Sequence, residues 1–389
     1  MITKKYKRDF VKKDWLVIIL CAIFGLGSVW YFQNEKLEVI RFRNEIRAEG
    51  VEDEELQEDG SEENEMSDEH TEQKKDYIKW VEFNVTCEAM NKAYQYDIDT
   101  YTKEIHLNWV DLLAFLGAKY GGDFSRYKEK DMDEIAKLLL DGEKTVEELA
   151  EEMKYFPYYQ EAYNAVLGGM VGEYEMEYPI NAKEKITSGT DKSQDIIKTA
   201  WKKVYGLKAF HPIAKDFPYS DYDDFGASRS YGYKRVHLGH DMMGQVGTPI
   251  IAVESGYVAA IGWNQYGGWR VGVNSFDGKR YYYYAHLRKD RPFAEGLEKG
   301  DVVQAGDVIG YMGRTGYSKE ENVNNIDEYH LHFGLQLIFD ESQREGNNEI
   351  WVSGYELTKF LYKHRSQVQR DNETKEWRRI YQIRDPIIE

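Results

Sequence analysis

Short runs of alternating apolar and polar residues fill the second half of the chain, and glycine interrupts them. Alternation with a period of two is typical of strands that bury one face, and glycine between short runs is typical of antiparallel sheets. Asp277-Gly278 separates two of the runs and is a hairpin turn signal. The pattern predicts an all-β, antiparallel-sheet domain over residues 205–345, with strands at 248–253, 256–263, 269–274, 280–287, 302–312 and 330–339.

Apolar residues recur at helical spacing in the region before this sheet. Thr145 and Asp131 each precede a glutamate by three positions, which is the spacing of a helix N-terminal capping box. We therefore predict an α-helical domain over residues 76–180, for which the sequence indicates no activity, and a polar connection at about 181–201. Residues 346–389 are predicted to hold a helix from Tyr355 to about Gln369, followed by a charged tail.

The N-terminal part of the chain has a different character. Residues 1–14 are rich in lysine and arginine, and residues 15–32 carry no charge, a length close to the minimum for a transmembrane helix. A cleaved signal peptide is the alternative, but no clear small-x-small cleavage site follows the apolar run. Because the basic flank stays in the cytoplasm, we expect a single-pass protein of the cell membrane with extracellular C-terminal domains. Residues 33–75 are predicted to be an acidic, disordered linker.

Charge and cysteine content exclude two classes of site. The formal net charge of −18 argues against nucleic acid as a partner. The chain has two cysteines, Cys21 and Cys87, and Cys21 lies within the apolar segment. We therefore expect neither a disulfide scaffold nor a thiolate metal site. Nothing in the sequence indicates the oligomeric state.

Three segments carry histidine in a pattern that suits metal chemistry: His237 with Asp241, then His286, then His330 with His332. Residues two apart on a strand leave the same face, so His330 and His332 should face one groove, and His286 should share a face with Tyr282 and Tyr284. A lone histidine is more often a surface or core residue than a ligand. Imidazole nitrogens together with a carboxylate, however, form a ligand set that suits zinc.

These segments belong to an ordered series of motifs between about Pro212 and about Phe339. The series is His237-x-Gly239-x-Asp241, Gly247-Thr248-Pro249-Ile250, Ser255-Gly256-Tyr257-Val258, Tyr284-Ala285-His286-Leu287, the Gly-Asp repeat at 300 and 306, Gly313-x-Thr315-Gly316 and His330-x-His332. It resembles the lysostaphin-type, LytM-like zinc endopeptidases, which cut peptide bonds in bacterial peptidoglycan. The resemblance implies that Zn2+ is the cofactor and that peptidoglycan peptides are the substrate. It also implies that His237, Asp241 and His332 bind the zinc and that His286 and His330 are catalytic.

The sequence leaves open which residue of such a site is the general base. The His-Glu-x-x-His motif, in which glutamate is the base, is absent. His330, two residues before a ligand, is placed to be the general base, and His286 could donate to the oxyanion or share the base role. His240 should point away if its segment is extended. The aromatic segment 219–234 is predicted either to line a peptide groove or to cap the sheet edge.

The sequence departs from the family pattern at two places near the expected substrate-binding position. Residues 317–329 form a long insertion rich in Asn and Glu, and Phe333-Gly334-Leu335 follows His332 where many relatives have an acidic residue. Glycine bridges, diaminopimelate cross-links and stem peptides therefore all remain candidate substrates. A membrane-anchored scaffold that binds a partner protein is the alternative function, and a glycan-binding domain is a third. Because a scaffold has no need of the five site residues, their presence favours the enzyme.

Overall fold

The computed structural model describes residues 77–184, 196–230 and 234–386, except 345 and 347. The described residues before 228 and after 235 belong to one compact unit. The predicted basic N-terminus (1–14), transmembrane helix (15–32) and linker (33–75) lie outside the described residues. Among the helices that are described, none has the length and apolarity needed to cross a membrane.

Helices occupy most of residues 87–167, as predicted. They are α1 (Cys87–Thr100), α2 (Trp109–Tyr120), α3 (Glu129–Leu140), α4 (Val146–Leu149) and α5 (Phe156–Leu167). The capping box predicted at Thr145 is confirmed, because its side chain accepts from the Glu148 N–H and the Glu148 side chain accepts from the Thr145 N–H. The cap predicted at Asp131 is wrong. Helix α3 begins at Glu129, and Asp131 accepts a 2.6 Å hydrogen bond from the Tyr120 hydroxyl of α2 instead.

A long β-hairpin follows α5, where we predicted the end of the helical domain and then a polar connection. Its strands, β1 (Val171–Glu184) and β2 (Ile196–Leu207), pair antiparallel from Val171 with Leu207 to Glu184 with Ile196. The strand signal lies in residues 173–178, where glutamate alternates with Tyr174, Met176 and Tyr178. Tyr174 and Met176 pack in a small apolar cluster, so this alternation, rather than the polar composition, determines the local structure.

The C-terminal sheet is antiparallel, as predicted. Its strands are β3 (Ser220–Asp221), β6 (His240–Met243), β8 (Gly256–Asn264), β9 (Gly268–Ser275), β10 (Arg280–Ala285), β11 (Val302–Val303), β13 (His330–Leu337) and β14 (Ile350–Val352). Neighbouring strands follow the order β11-β8-β9-β10-β13-β6-β3, and β14 also pairs with β13. This order places the strands of Asp241 and His332 side by side, with β10 on the other side of β13.

Shorter strands pair outside this sheet. β7 (Pro249–Ile251) pairs with β12 (Val308–Tyr311), β15 (Val368–Arg370) with β16 (Trp377–Arg379), β4 (Ser228–Ser230) with β5 (Lys234–Val236), and β17 (Ile383–Arg384) with β1. The last helix, α6 (Tyr355–Leu361), ends well before the predicted Gln369. The residues after it bind the 213–217 segment instead: Arg365 Nε donates to the Ile213 carbonyl (3.1 Å), and the Ser366 carbonyl accepts from the Lys215 N–H (2.9 Å).

The helices and the sheet share one hydrophobic core. Trp109 of α2 stacks on Phe360 of α6, with ring centroids 5.6 Å apart. Arg280, at the start of β10, is 1% exposed, and its Nη1 donates to the Ala165 carbonyl of α5 at 2.8 Å. The same guanidinium donates to the Glu254 carboxylate through Nε (2.7 Å) and Nη2 (3.1 Å). The sheet that carries the candidate site is therefore fixed to the helical region through apolar packing and the hydrogen bond from Arg280 to Ala165, and Glu254 neutralises that buried guanidinium.

Candidate metal centre

Three ligand atoms converge at one edge of the sheet. Asp241 on β6 lies directly opposite His332 on β13, and His237 lies in the segment that leads into β6. His237 Nε2 is 3.1 Å from Asp241 Oδ1 and 3.0 Å from His332 Nδ1, and His332 Nδ1 is 2.8 Å from Asp241 Oδ1. His237 and Asp241 are buried, and His332 is partly exposed. Two imidazoles and a carboxylate thus form a group that could hold a metal ion.

The charge of Asp241 dominates the electrostatics of this group. Burial acts to raise the pKa of Asp241, but hydrogen bonds from His237 and His332 outweigh it and hold that pKa well below its usual range. For His237, burial acts to lower the pKa, but the hydrogen bond to Asp241 together with the negative charges of Asp241 and Asp224 outweighs burial and raises the pKa. Burial lowers the pKa of His332. The carboxylate is therefore ionised under ordinary conditions, which is the form that binds a cation.

The orientation of His237 depends on a residue that the sequence analysis did not single out. His237 Nδ1 is 3.1 Å from the Asp224 carbonyl oxygen and 3.2 Å from Asp224 Oδ2. In a neutral ring these acceptors would hold the proton on Nδ1, which leaves Nε2, the atom that faces Asp241 and His332, available to a metal ion. Asp224 belongs to the segment whose role the sequence left open between groove and sheet edge. In the part of this segment that the structure describes, β3 extends the sheet edge and Asp224 holds a site histidine.

His286 and His330 stand beside the three ligand atoms. The two rings are 4.8 Å apart between centroids, and His330 Nε2 is 3.8 Å from Asp241 Oδ1. Each Nδ1 faces a backbone carbonyl: His286 that of Thr315 at 2.9 Å, and His330 that of Glu328 at 3.0 Å. In its neutral form each histidine therefore carries its proton on Nδ1 and presents an unprotonated Nε2. Burial lowers the pKa of His286 well below its usual value, which keeps this imidazole neutral.

The pleat of the strands explains the placement of one catalytic candidate but not of the other. His330 and His332 share a face, as predicted, because Leu331 and Phe333 between and after them are buried on the opposite face. The prediction that His286 shares a face with the buried Tyr282 and Tyr284 is wrong. Strand β10 ends at Ala285, and His286 has a φ of 61°, so the chain turns at this residue. A non-glycine residue in this region of φ is strained, and such strain concentrates at functional sites.

His240 points away from the group, as predicted for an extended segment. Its Nδ1 is 3.1 Å from the Thr358 hydroxyl of α6, and its Nε2 is 2.9 Å from Asp221 Oδ2 on β3. Because His240 precedes Asp241, these contacts tie the strand of a candidate ligand to the edge strand and to the last helix.

The insertion at 317–329 forms a wall beside His286. Asn322 accepts from the indole N–H of Trp269 and from the Asp290 N–H, each at 2.9 Å, and donates to the Asp290 carboxylate at 2.7 Å. Tyr317, at the start of the insertion, has its ring 5.7 Å from that of His286. The insertion is therefore held against the sheet by polar contacts, and it borders the site.

Gly239 provides a test of how tightly the ligand set is packed. A Cβ at this position would lie 2.4 Å from His332 Cε1 and 2.5 Å from its Nε2. Gly239→Ala must therefore displace the His332 ring, and we expect it to weaken zinc binding roughly 10- to 100-fold, the range for a disturbed ligand orientation. Zinc titration of the full chain measures this. Gly206→Ala is the control, because its Cβ would meet no atom closer than 3.6 Å. Equal zinc affinity of the Gly239→Ala and Gly206→Ala variants would contradict the packing argument.

Comparison with known proteins identifies a family domain within the chain. A model described as peptidase family M23 matches residues 235–349. The L-Ala–D-Glu endopeptidase of Bacillus subtilis (strain 168) is 36% identical over 32% of this chain and 36% of its own length. A glycyl-glycine endopeptidase of Staphylococcus capitis is 38% identical over 33% of this chain and 37% of its own length. This chain thus spans little more than a third of either relative.

Among solved structures, one from Ruminococcus gnavus described as a LytM glycyl-glycine endopeptidase is 22% identical, covering 72% of this chain and 88% of that chain with a TM-score of 0.46. The family match at residues 235–349 includes His237, Asp241, His286, His330 and His332. The resemblance inferred from the sequence motifs is therefore confirmed, and residues 235–349 form a domain of peptidase family M23.

Proposed function

We propose that this protein is a zinc metalloendopeptidase that hydrolyses peptide bonds of bacterial peptidoglycan. The observation that carries the proposal is the convergence of His237, Asp241 and His332 on one point, with His286 and His330 beside it, inside an M23 domain. Two relatives of this domain are named L-Ala–D-Glu endopeptidase and glycyl-glycine endopeptidase. A scaffold protein would not require this arrangement.

The donor set fits zinc. Ligand atoms at about 2.0–2.1 Å from a tetrahedral zinc lie about 3.3 Å from one another. The three donor atoms here are 2.8–3.1 Å apart, so a shift of a few tenths of an ångström would admit the ion. The three protein ligands would be His237 Nε2, Asp241 Oδ1 and His332 Nδ1, which leaves a fourth position for water or substrate, as in catalytic zinc sites. When bound, zinc lowers the pKa of a coordinated water to about 7 and polarises a carbonyl.

The remaining histidines would move protons. When neutral, His330 and His286 each offer an unprotonated Nε2, because a backbone carbonyl holds the proton on Nδ1. Either ring can therefore accept the proton of the attacking water, and the ring that has taken it up can donate to the developing oxyanion or to the leaving amine. Because both rings have the same contact from Nδ1 to a carbonyl, the role of general base is proposed for His286 and His330 together.

Clearance of purified cell walls tests this proposal. We expect the full chain, purified in detergent, to lower the turbidity of suspended walls. A zinc chelator such as 1,10-phenanthroline should stop the clearance, and added zinc should restore it. Clearance that is insensitive to the chelator would contradict the zinc chemistry. A chain that binds zinc but clears no wall type, whatever its cross-link, would contradict the peptidase function.

We further propose that residues 15–32 anchor the protein in the cell membrane, with the M23 domain outside. The support is the basic segment before the uncharged run and the acidic segment after it. Protease added to intact protoplasts should remove an epitope placed after Glu389, while an epitope before Met1 should survive. Protection of the C-terminal epitope in intact protoplasts, with loss after lysis, would contradict this orientation.

A further inference from the structure

Arg270 lies on the face of the sheet that carries the candidate metal centre. Its neighbour on β9, Val271, is buried and pairs with the buried Tyr284, so Arg270 leaves the sheet on the opposite face. Tyr283 and His332 also leave on that face, because Tyr284 and Phe333 beside them are buried in the core. Strand β10 lies between those of Arg270 and His332, so two strand spacings, about 10 Å, separate their backbones.

The guanidinium of Arg270 lacks a partner. Within the part of the chain that the structure describes, no hydrogen bond or ion pair reaches the Arg270 guanidinium, and its Nε is shielded from solvent without an acceptor. Other buried or half-buried arginines have partners: Arg280 binds Glu254, and Arg379 binds Asp307. A half-buried guanidinium with unused donors attracts an anion from outside the chain.

Aromatic rings connect Arg270 to the metal centre. The Tyr283 ring is 6.0 Å from the His332 ring and 6.2 Å from the Trp351 ring, measured between centroids. Burial raises the pKa of the Tyr283 hydroxyl and the nearby charge of Arg270 lowers it, so the two groups are within electrostatic range. Tyr283 lies over glycine: a Cβ at Gly267 would be 2.1 Å from its hydroxyl oxygen. The face between the metal centre and Arg270 therefore carries an aromatic ring packed on glycine, which can contact an extended peptide.

We propose that Arg270 binds a carboxylate of the substrate and selects carboxylate-bearing stem peptides over oligoglycine bridges. This inference rests on the proposed peptidase function. The planar guanidinium matches a carboxylate with two parallel hydrogen bonds. A separation of about 10 Å corresponds to roughly three residues of extended peptide, so the carboxylate would lie up to three residues from the scissile bond. Stem peptides carry free carboxylates at this range, whereas the interior of an oligoglycine bridge carries none.

Two forms of one synthetic stem peptide test the inference, the first with free carboxylates and the second with carboxamides in their place. We expect the full chain to cleave the acid form with a kcat/KM about 10- to 100-fold higher, the range for a hydrogen-bonded charge. An oligoglycine peptide should be cleaved no faster than the amide form. Arg270→Gln should abolish the preference for the acid form, and Arg270→Lys should retain part of it. Arg378→Gln, which removes an exposed arginine on β16, should change nothing.

Equal loss of activity on both peptide forms in Arg270→Gln would overturn the inference, since it would indicate a structural role. A wild type that cleaves both forms equally, or prefers oligoglycine, would also overturn it while leaving the peptidase function intact. If the wild type cleaves none of the peptides, binding of the two peptide forms measured by calorimetry tests the carboxylate site independently of the peptidase function. Tighter binding of the acid form that is lost in Arg270→Gln would support the carboxylate site, and equal binding of both forms would refute it.

Discussion

Replacing His330 or His286 with alanine should slow peptide hydrolysis by roughly 10²- to 10⁴-fold, the range for loss of a general base or an oxyanion donor. Bound zinc and thermal stability should stay near wild type, because neither ring belongs to the group formed by His237, Asp241 and His332. Steady-state kinetics beside zinc analysis of the full chain measures both effects.

His106→Gln is the matched control for these variants. This histidine lies in the helical region, 2.9 Å from Asp97, and should leave turnover unchanged. Loss of zinc from His330→Ala with normal zinc in His332→Ala would mean that the two roles on β13 are reversed.

Glu254→Gln should destabilise the fold by about 3–5 kcal/mol, the usual cost of removing one partner from a buried ion pair. The substitution leaves the Arg280 guanidinium, which is 1% exposed, without its main counter-charge. Tyr282 also loses the charged acceptor of its 2.7 Å hydrogen bond. Because Arg280 also binds Ala165 in α5, the loss should weaken the helices and the sheet together. Chemical denaturation followed by tryptophan fluorescence and by circular dichroism should report one shifted transition.

Glu341→Gln provides the comparison for this prediction. Glu341 pairs with Arg344 at the surface with its side chain 79% exposed, and such pairs contribute about 1 kcal/mol or less. If Glu254→Gln cost no more than Glu341→Gln, the buried pair would not stabilise the position of Arg280 between the sheet and α5.

The parts of the site that the sequence predicted correctly depend on local periodicity. His330 and His332 are two residues apart on a strand, so the pleat alone places both on the face opposite Leu331 and Phe333. The antiparallel sheet followed in the same way from short alternating runs. By contrast, the side of β10 to which His286 turns depends on a positive φ after the strand end, which alternation does not encode.

Other features depend on contacts between distant parts of the chain. Asp224 meets His237 across 13 positions through a loop, and no spacing rule connects them. The helices and the sheet are also linked by the hydrogen bond from Arg280 to Ala165, 115 positions apart in the chain. The hairpin of β1 and β2 is a different case, because its alternation of glutamate with tyrosine and methionine was present in the sequence, although composition pointed to a connection.

The central claim, that His237, Asp241 and His332 hold one zinc ion, is tested most directly by zinc analysis of the purified full chain. Inductively coupled plasma mass spectrometry should find one zinc per chain in the wild type and in His330→Ala. His237→Ala, Asp241→Ala and His332→Ala should each lose the metal and melt at a lower temperature, because metal binding contributes to the folding free energy. A wild type without zinc after incubation with the metal, or a His332→Ala variant that keeps one zinc per chain, would contradict the claim.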